Sequence, residues 1–178
     1  PCQATRASKF LERLLPALEN SHKRLGYGME TLTAANKGWM PIDEFVAKFK
    51  KAVDLFYGGR WRRAYDERWH IRGRVTGQDI TIGKNGPHYH QHNLIVVDKS
   101  PFWVTLNAGE QSGSRYSLNQ WRVAHMWHEA AQRWIDCCAK VGLYADLEHG
   151  YHLEGANNSV AYYIAKLGME IGLYANKS

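Results

Sequence analysis

The sequence predicts an α+β domain, a central antiparallel β-sheet with helices packed mainly on one face. Three observations lead there. Residues 79–97 alternate in side-chain character on both sides of a glycine-rich turn, as a hairpin does. Phe45, Val46, Phe49, Val53 and Phe56 recur at helical spacing. So do Leu118, Trp121, Met126, Trp127, Ala130, Trp134 and Val141. A chain of 178 residues is long enough for one domain with a real core.

In chain order, Phe10, Leu11, Leu14, Leu15 and Leu18 place a helix between residues 4 and 23, with Pro16 kinking or breaking it. Tyr27 to Thr33 reads as a strand. After a linker over 34–40, Pro41-Ile42-Asp43-Glu44 is a good helix start, because proline suits the first turn and carboxylates suit the helix N-terminus. That helix ends near Gly58-Gly59. Arg60-Trp61-Arg62-Arg63 follows and interleaves an aromatic with cations, which suits stacking on a base while contacting phosphates. It also suits a helix start with solvated arginines and Trp61 in the core. His70 to Gly83 makes a strand with an irregularity near Gly73 or Gly77. Residues 102–115 read as a loop, 117–140 as a helix whose tryptophan stripe is core, and Tyr144 to Glu154 as a strand pair around His149-Gly150. A last helix spans about 157–172. Val160, Ile164, Leu167 and Ile171 give it a buried face, with Tyr163 on the flank and Tyr162 nearly opposite.

The chemistry concentrates in one stretch. His88, His90 and His92 alternate and run into Asn93-Leu94-Ile95-Val96-Val97, so all three imidazoles share one face of a strand. Upstream, Asp79 and Thr81 alternate with Ile80 and Ile82, and Gly83-Lys84-Asn85-Gly86-Pro87 is turn chemistry. The hairpin can thus bring a carboxylate to the imidazoles. Two imidazoles and a carboxylate make a divalent-metal site with open positions. Residues 88 and 92 lie roughly 13 Å apart along a strand, so one ion does not easily take all three histidines.

Composition narrows the setting. The 23 Lys+Arg against 17 Asp+Glu give a formal charge of +6, compatible with nucleic acid without requiring it. No apolar run is long enough to span a membrane and no signal peptide is visible, so a cytoplasmic protein without a membrane partner is expected. Cys137 and Cys138 are adjacent on a helix and Cys2 is terminal, which argues against a disulfide framework. The chain begins at Pro1 without methionine, as a domain excised from a longer protein would.

Residues 79–97 resemble the metal-binding strands of HUH endonucleases, specifically the rolling-circle replication initiators of plasmids. There a strand ending in Glu-Val-Thr is followed by a Gly-Asn-Gly turn and then His-Pro-His-Phe-His. Asp79-Ile80-Thr81 and His88-Tyr89-His90-Gln91-His92 fall into that pattern without a gap. Gln91 departs from it, since the residue between the paired histidines is usually bulky and apolar. Thr31-Leu32-Thr33 resembles the family's first motif, and Tyr163 with Lys166 its third, a tyrosine with lysine three residues later. The order of these motifs covers nearly the whole of 1–178, as a single nuclease domain. Pro1-Cys2 resembles the tail of a zinc element found ahead of the first helix in such initiators, although one cysteine makes no zinc site.

The resemblance implies an enzyme that nicks and rejoins single-stranded DNA at a replication origin. His90, His92 and Asp79 would hold Mn²⁺ or Mg²⁺, Tyr163 would attack the scissile phosphate to give a 5′-phosphotyrosine and a free 3′-hydroxyl, and Lys166 would stabilise phenolate or phosphate charge. Tyr162 is the competing nucleophile and His88 the competing ligand. Several initiators carry a water-activating glutamate four residues before the tyrosine; Ser159 stands there, with Glu154 or Glu170 as substitutes. A host helicase and polymerase would be partners. A relaxase or transposase of a mobile element shares the same nuclease core. Two readings of other classes remain: a cupin-like metalloenzyme, lacking the glutamate expected after the histidines and too helical, and a non-catalytic single-strand-binding domain.

Overall fold

The computed structural model describes residues 12, 16, 25–36, 40–83, 86–98, 103–105, 116–118 and 120–156. The expected N-terminal helix, apart from residues 12 and 16, and the helix over 157–172 lie outside them. The fold is α+β. Four antiparallel strands, β1 (Leu25–Ala34), β2 (Ile71–Gly83), β3 (Gly86–Asp98) and β6 (Tyr151–Ala156), form an open sheet in the order β2-β3-β1-β6. Among the described residues three helices accompany it: α1 (Ile42–Tyr57), α2 (Gly59–Arg68) and α3 (Gln120–Lys140). A separate pair, β4 (Trp103–Thr105) and β5 (Tyr116–Leu118), replaces part of the loop expected over 102–115 and the first residues of the helix expected from 117.

Local chemistry accounts for the boundaries. Pro41 accepts the first helical hydrogen bond, from Phe45 N–H to its carbonyl at 2.9 Å, with Asp43 and Glu44 in the first turn. Gly58 separates α1 from α2, whose first residue Gly59 has φ 79°; a Cβ at Gly58 would stand 2.6 Å from the Asp54 carbonyl oxygen, so both positions call for glycine. The irregularity expected near Gly73 is a register shift between Ile71 and Gly73. The strand pair expected over 144–154 is instead a turn leading into the single strand β6, which pairs with β1.

Strand alternation sorts β1 and β3 into two faces. Leu32, Ala34, Tyr89, Ile95 and Val97 turn toward the helices and join Phe45, Phe49, Phe56, Ala130 and Trp134 in one buried cluster. Trp134 sits at its centre, 5.3 Å from the Phe49 ring and 5.7 Å from that of Phe56. Burying each such aromatic is worth about 1.5–3 kcal/mol. The Trp134 indole N–H also donates to the Thr33 carbonyl at 2.8 Å, tying α3 to β1. Cys137 and Cys138 are buried free thiols in this core, and burial raises both pKa values.

The other half of the helix-facing side is polar and buried. Glu30 is 1% exposed and accepts hydrogen bonds from the hydroxyls of Tyr57 and of Tyr151, the latter at 2.9 Å. Arg62, 2% exposed, places Nη1 3.5 Å from Glu30 and donates from Nε to Asp66 at 2.7 Å. Its guanidinium lies 4.7 Å from the Tyr57 ring centroid and 5.0 Å from that of Tyr65. Among the described residues neither Nη atom has a hydrogen-bond partner, so ring faces and the carboxylate's field do the work of solvent. Burial and then Glu30 push the Tyr57 and Tyr151 hydroxyls well above the ordinary range.

Candidate functional site

The face of the sheet turned away from the helices carries the histidines. The register pairs β3 with β1 so that His90 lies opposite Thr33 and His92 opposite Thr31. On the other side β2 sets Asp79 opposite His90 and Gly77 opposite His92. His90 is therefore flanked by a hydroxyl on one neighbouring strand and a carboxylate on the other. The hairpin reading of 79–97 thus holds, and it brings Asp79 to the imidazoles as expected. His152 in β6, opposite Thr31, adds a fourth histidine to this face.

Both threonines reach the imidazoles. Thr33 Oγ1 lies 2.9 Å from His90 Nδ1, and Thr31 Oγ1 lies 3.0 Å from His92 Nδ1. Donor and acceptor follow the tautomer, but in either case Nδ1 is engaged and the ring plane is held. The rings of His88, His90 and His92 stack in a column, with centroids 6.4 Å and 6.1 Å apart and planes inclined by 22°. His88 stands beyond the threonine ladder, with Thr81 as its β2 neighbour in the register. That distinction favours His90 and His92 as the matched pair.

The half-buried setting decides the charge state. Burial lowers the pKa of His90, with Asp79 opposing and His88 adding to the fall. Burial likewise lowers His92, aided by His90 and opposed by Asp79. Both imidazoles are thus neutral at neutral pH, the form that ligates a cation.

The donor set suits a divalent ion: two neutral imidazoles anchored at Nδ1 and a carboxylate one strand away. The near-parallel rings must turn toward each other to share one. Among the described residues no three His, Cys, Asp or Glu side chains are already gathered as a cage.

A pocket of about 450 Å³ opens beside the histidines. Thr33, Ala35, His88 and His90 line it from the sheet, and Tyr144, Ala145, Asp146, His149 and Gly150 from the turn ahead of β6. Tyr144 in that lining is more than two-fifths exposed.

The other expected residues separate. Arg60 and Arg63 are exposed on α2, where cations can meet phosphate. Arg62 and Trp61 do not join them, and this corrects the expectation of a four-residue DNA-binding patch. Arg62 is buried against Glu30, and Trp61 stacks on Tyr65 at 5.0 Å and packs on Phe56 at 5.8 Å. Alternate sides of a helix cannot all face solvent when one packs on a sheet. Glu154 pairs with Met29 in β6. Tyr162, Tyr163, Lys166 and Glu170 lie outside the described residues, as does Cys2.

Gln91, the departure from the family pattern, points into the helix-facing side. It donates to Asn93 Oδ1 at 3.1 Å and lies 3.4 Å from Gln78, while Thr76 donates to Asn93 at 2.8 Å. A polar ladder there replaces apolar packing. Sequence reasoning quoted Thr31 and Thr33 only as a motif and missed their contact with the histidines; the signal was their period of two, matching that of His90 and His92. It also gave no role to Asp146 and His149, whose nearness to the histidine strand arises only from folding.

Among the described residues the four-stranded sheet is open, with β2 and β6 at its edges. No helix among the described residues is long and apolar enough to cross a membrane. No protein-family model, curated protein or solved structure matches this chain.

Proposed function

We propose that this chain is a metal-dependent, tyrosine-mediated nuclease of the HUH type, which nicks and rejoins single-stranded DNA at a rolling-circle replication origin. The observation that carries the reading is the position of His90, flanked in register by Thr33 and Asp79, with His92 held in the same way by Thr31. A Thr-Leu-Thr strand, a carboxylate strand and a histidine strand are three of the elements the resemblance names, and here they are hydrogen-bonded neighbours.

In this reading His90, His92 and Asp79 hold Mn²⁺ or Mg²⁺, which when bound neutralises charge building on the scissile phosphate. Thr31 and Thr33 hold the imidazoles by Nδ1, which would leave Nε2 for an ion. Tyr163 supplies the phenolate, with Lys166, three residues later in the sequence, stabilising its charge. The product is a 5′-phosphotyrosine and a 3′-hydroxyl that primes a host polymerase, with a host helicase opening the duplex in the cytoplasm. Arg60 and Arg63 contact phosphates at a distance from the chemistry.

The test is covalent capture. The protein is incubated with a labelled, randomised pool of single strands and Mn²⁺, with and without EDTA, beside the Tyr163→Phe variant, and resolved on a denaturing gel. A metal-dependent shifted band that vanishes in Tyr163→Phe is expected. Persistence of the band in Tyr163→Phe would move the nucleophile to Tyr162. No band from the wild type, together with tight metal binding, would turn the reading toward a metal protein that does not cut DNA.

A further inference from the structure

The pocket beside the histidines has a second bank, and that bank is built rather than incidental. The turn carrying Tyr144, Asp146 and His149 is stitched to β1 twice: Thr33 N–H donates to the Gly150 carbonyl at 2.8 Å and Ala35 N–H to the Tyr144 carbonyl at 2.9 Å. Thr33 is also the residue bonded to His90. The turn is therefore fixed relative to the histidine strand by the same residue that orients the imidazole.

Within the turn, Asp146 is held tightly. Its Oδ1 accepts from the backbone N–H groups of Glu148 at 3.1 Å and His149 at 2.7 Å, and lies 3.3 Å from His149 Nδ1. The His149 backbone N–H, and with it the imidazole, holds the Asp146 carboxyl below the usual carboxylate range, so it is ionised at neutral pH. A carboxylate on Nδ1 sets the tautomer and orientation of an imidazole and presents Nε2 for proton transfer. Nε2 of His149 is 3.8 Å from Glu148 Oε1, and the ring is 73% exposed along the pocket rim.

We propose that His149 is the general acid and base of this site, with Asp146 as its positioning residue. The inference rests on the strand-nicking reading above. As the phenolate oxygen forms its bond to phosphorus, the P–O3′ bond breaks and its electron pair goes to O3′. His149 Nε2 delivers a proton there, so the leaving group departs as a hydroxyl rather than an alkoxide. In the joining step the same imidazole takes that proton back from the 3′-hydroxyl as O3′ attacks phosphorus and the phenolate leaves. General acid–base catalysis of this kind is worth about 10²–10⁴-fold in rate.

The experiment uses oligonucleotides recovered by covalent capture on the wild-type protein, resynthesised with either oxygen or sulfur at the bridging 3′ position of the nicked linkage. A thiolate leaves without needing a proton. His149→Ala is expected to cut the oxygen substrate about 10²–10⁴-fold more slowly in kcat with KM little changed, and the sulfur substrate at close to the wild-type rate. Imidazole in the buffer should restore part of the lost rate on oxygen, and Asp146→Asn should show a smaller loss of the same pattern. Equal losses on oxygen and sulfur, or no loss on either, would overturn the role of His149 while leaving the nuclease intact. If the wild type captures no strand, the nuclease reading falls and this inference falls with it. His149 is exposed, so its replacement does not threaten the fold.

Discussion

Thr33 and His90, fifty-seven residues apart in the chain, are joined by a 2.9 Å hydrogen bond between a hydroxyl and Nδ1. Thr31 and His92 repeat the arrangement one step along the ladder. Outer partners of this kind fix the ring and tautomer of a metal-binding histidine, and losing them costs about 10–100-fold in metal affinity. Thr33→Val and Thr31→Val keep the shape of the side chain and remove the hydroxyl. Each is expected to weaken Mn²⁺ binding by that factor in calorimetry, with the circular dichroism spectrum unchanged. A Thr→Val pair that binds Mn²⁺ as the wild type does would show that the threonines serve only the sheet.

Acid should weaken the fold before the carboxylates begin to titrate. The pKa values of His90 and His92 are lowered from 6.5, chiefly by burial. Above 6.5 both residues are neutral folded and unfolded, and contribute no slope. As pH falls below that, the unfolded chain takes up protons that the folded protein still refuses, so stability is lost until the lowered folded values are passed. The melting temperature is expected to fall as the pH drops below about 6.5. His90→Gln with His92→Gln should flatten that decline; an unchanged slope would assign it to other groups.

Arg62 should behave as a core residue. Removing one member of a buried ion pair costs about 3–5 kcal/mol, because the other is left without compensation. Arg62→Met is expected to lower the unfolding midpoint in urea accordingly, and pairing it with Glu30→Gln should recover much of the loss. Arg60→Ala and Arg63→Ala should leave stability within about 0.5 kcal/mol and reduce the salt dependence of binding to a labelled single strand. A stable Arg62→Met variant that had lost DNA affinity would reverse this assignment.

Gly150 marks how tightly the turn lies on the sheet. A Cβ there would stand 2.6 Å from the Asp146 carbonyl oxygen and 2.9 Å from Ala145 Cβ. Gly150→Ala must push that backbone outward, at an expected cost of about 1–3 kcal/mol, and loosen the bond from Thr33 N–H to the Gly150 carbonyl. Hydrogen exchange at the Thr33 and Ala35 amides should accelerate. Unchanged protection at both amides would mean that the turn absorbs the methyl without moving.

Much of the sheet was legible because its signals are local. Alternation through His88, His90 and His92, a glycine-rich turn and Asp79 upstream all lie within nineteen residues, and a hairpin needs nothing more distant. The apolar stripes of α1 and α3 were equally plain. What sequence reasoning missed depends on contacts between distant segments. Arg62 reads as a solvated cation until Glu30, Tyr57 and Tyr65 are seen to surround it. The turn at 144–150 resembled half of a hairpin because it is followed by a strand, yet its partner is β1, more than a hundred residues earlier. Asp146 and His149 could not be linked to His90 before that pairing was known.

The polarity of β3 has a consequence for how such a site can change by descent. Hydrophobic alternation usually tells a strand which way to face, but around the histidines Gln91 and Asn93 are polar on the inner side as well. Facing is decided instead by matched partners, Thr31 and Thr33 outside and Thr76 and Gln78 inside. A single codon inserted or lost between Tyr89 and Asn93 would turn part of the strand over, driving imidazoles under the helices and leaving the amides in water. At these positions a substitution alters one contact at a time, whereas a change in strand length turns the whole set over.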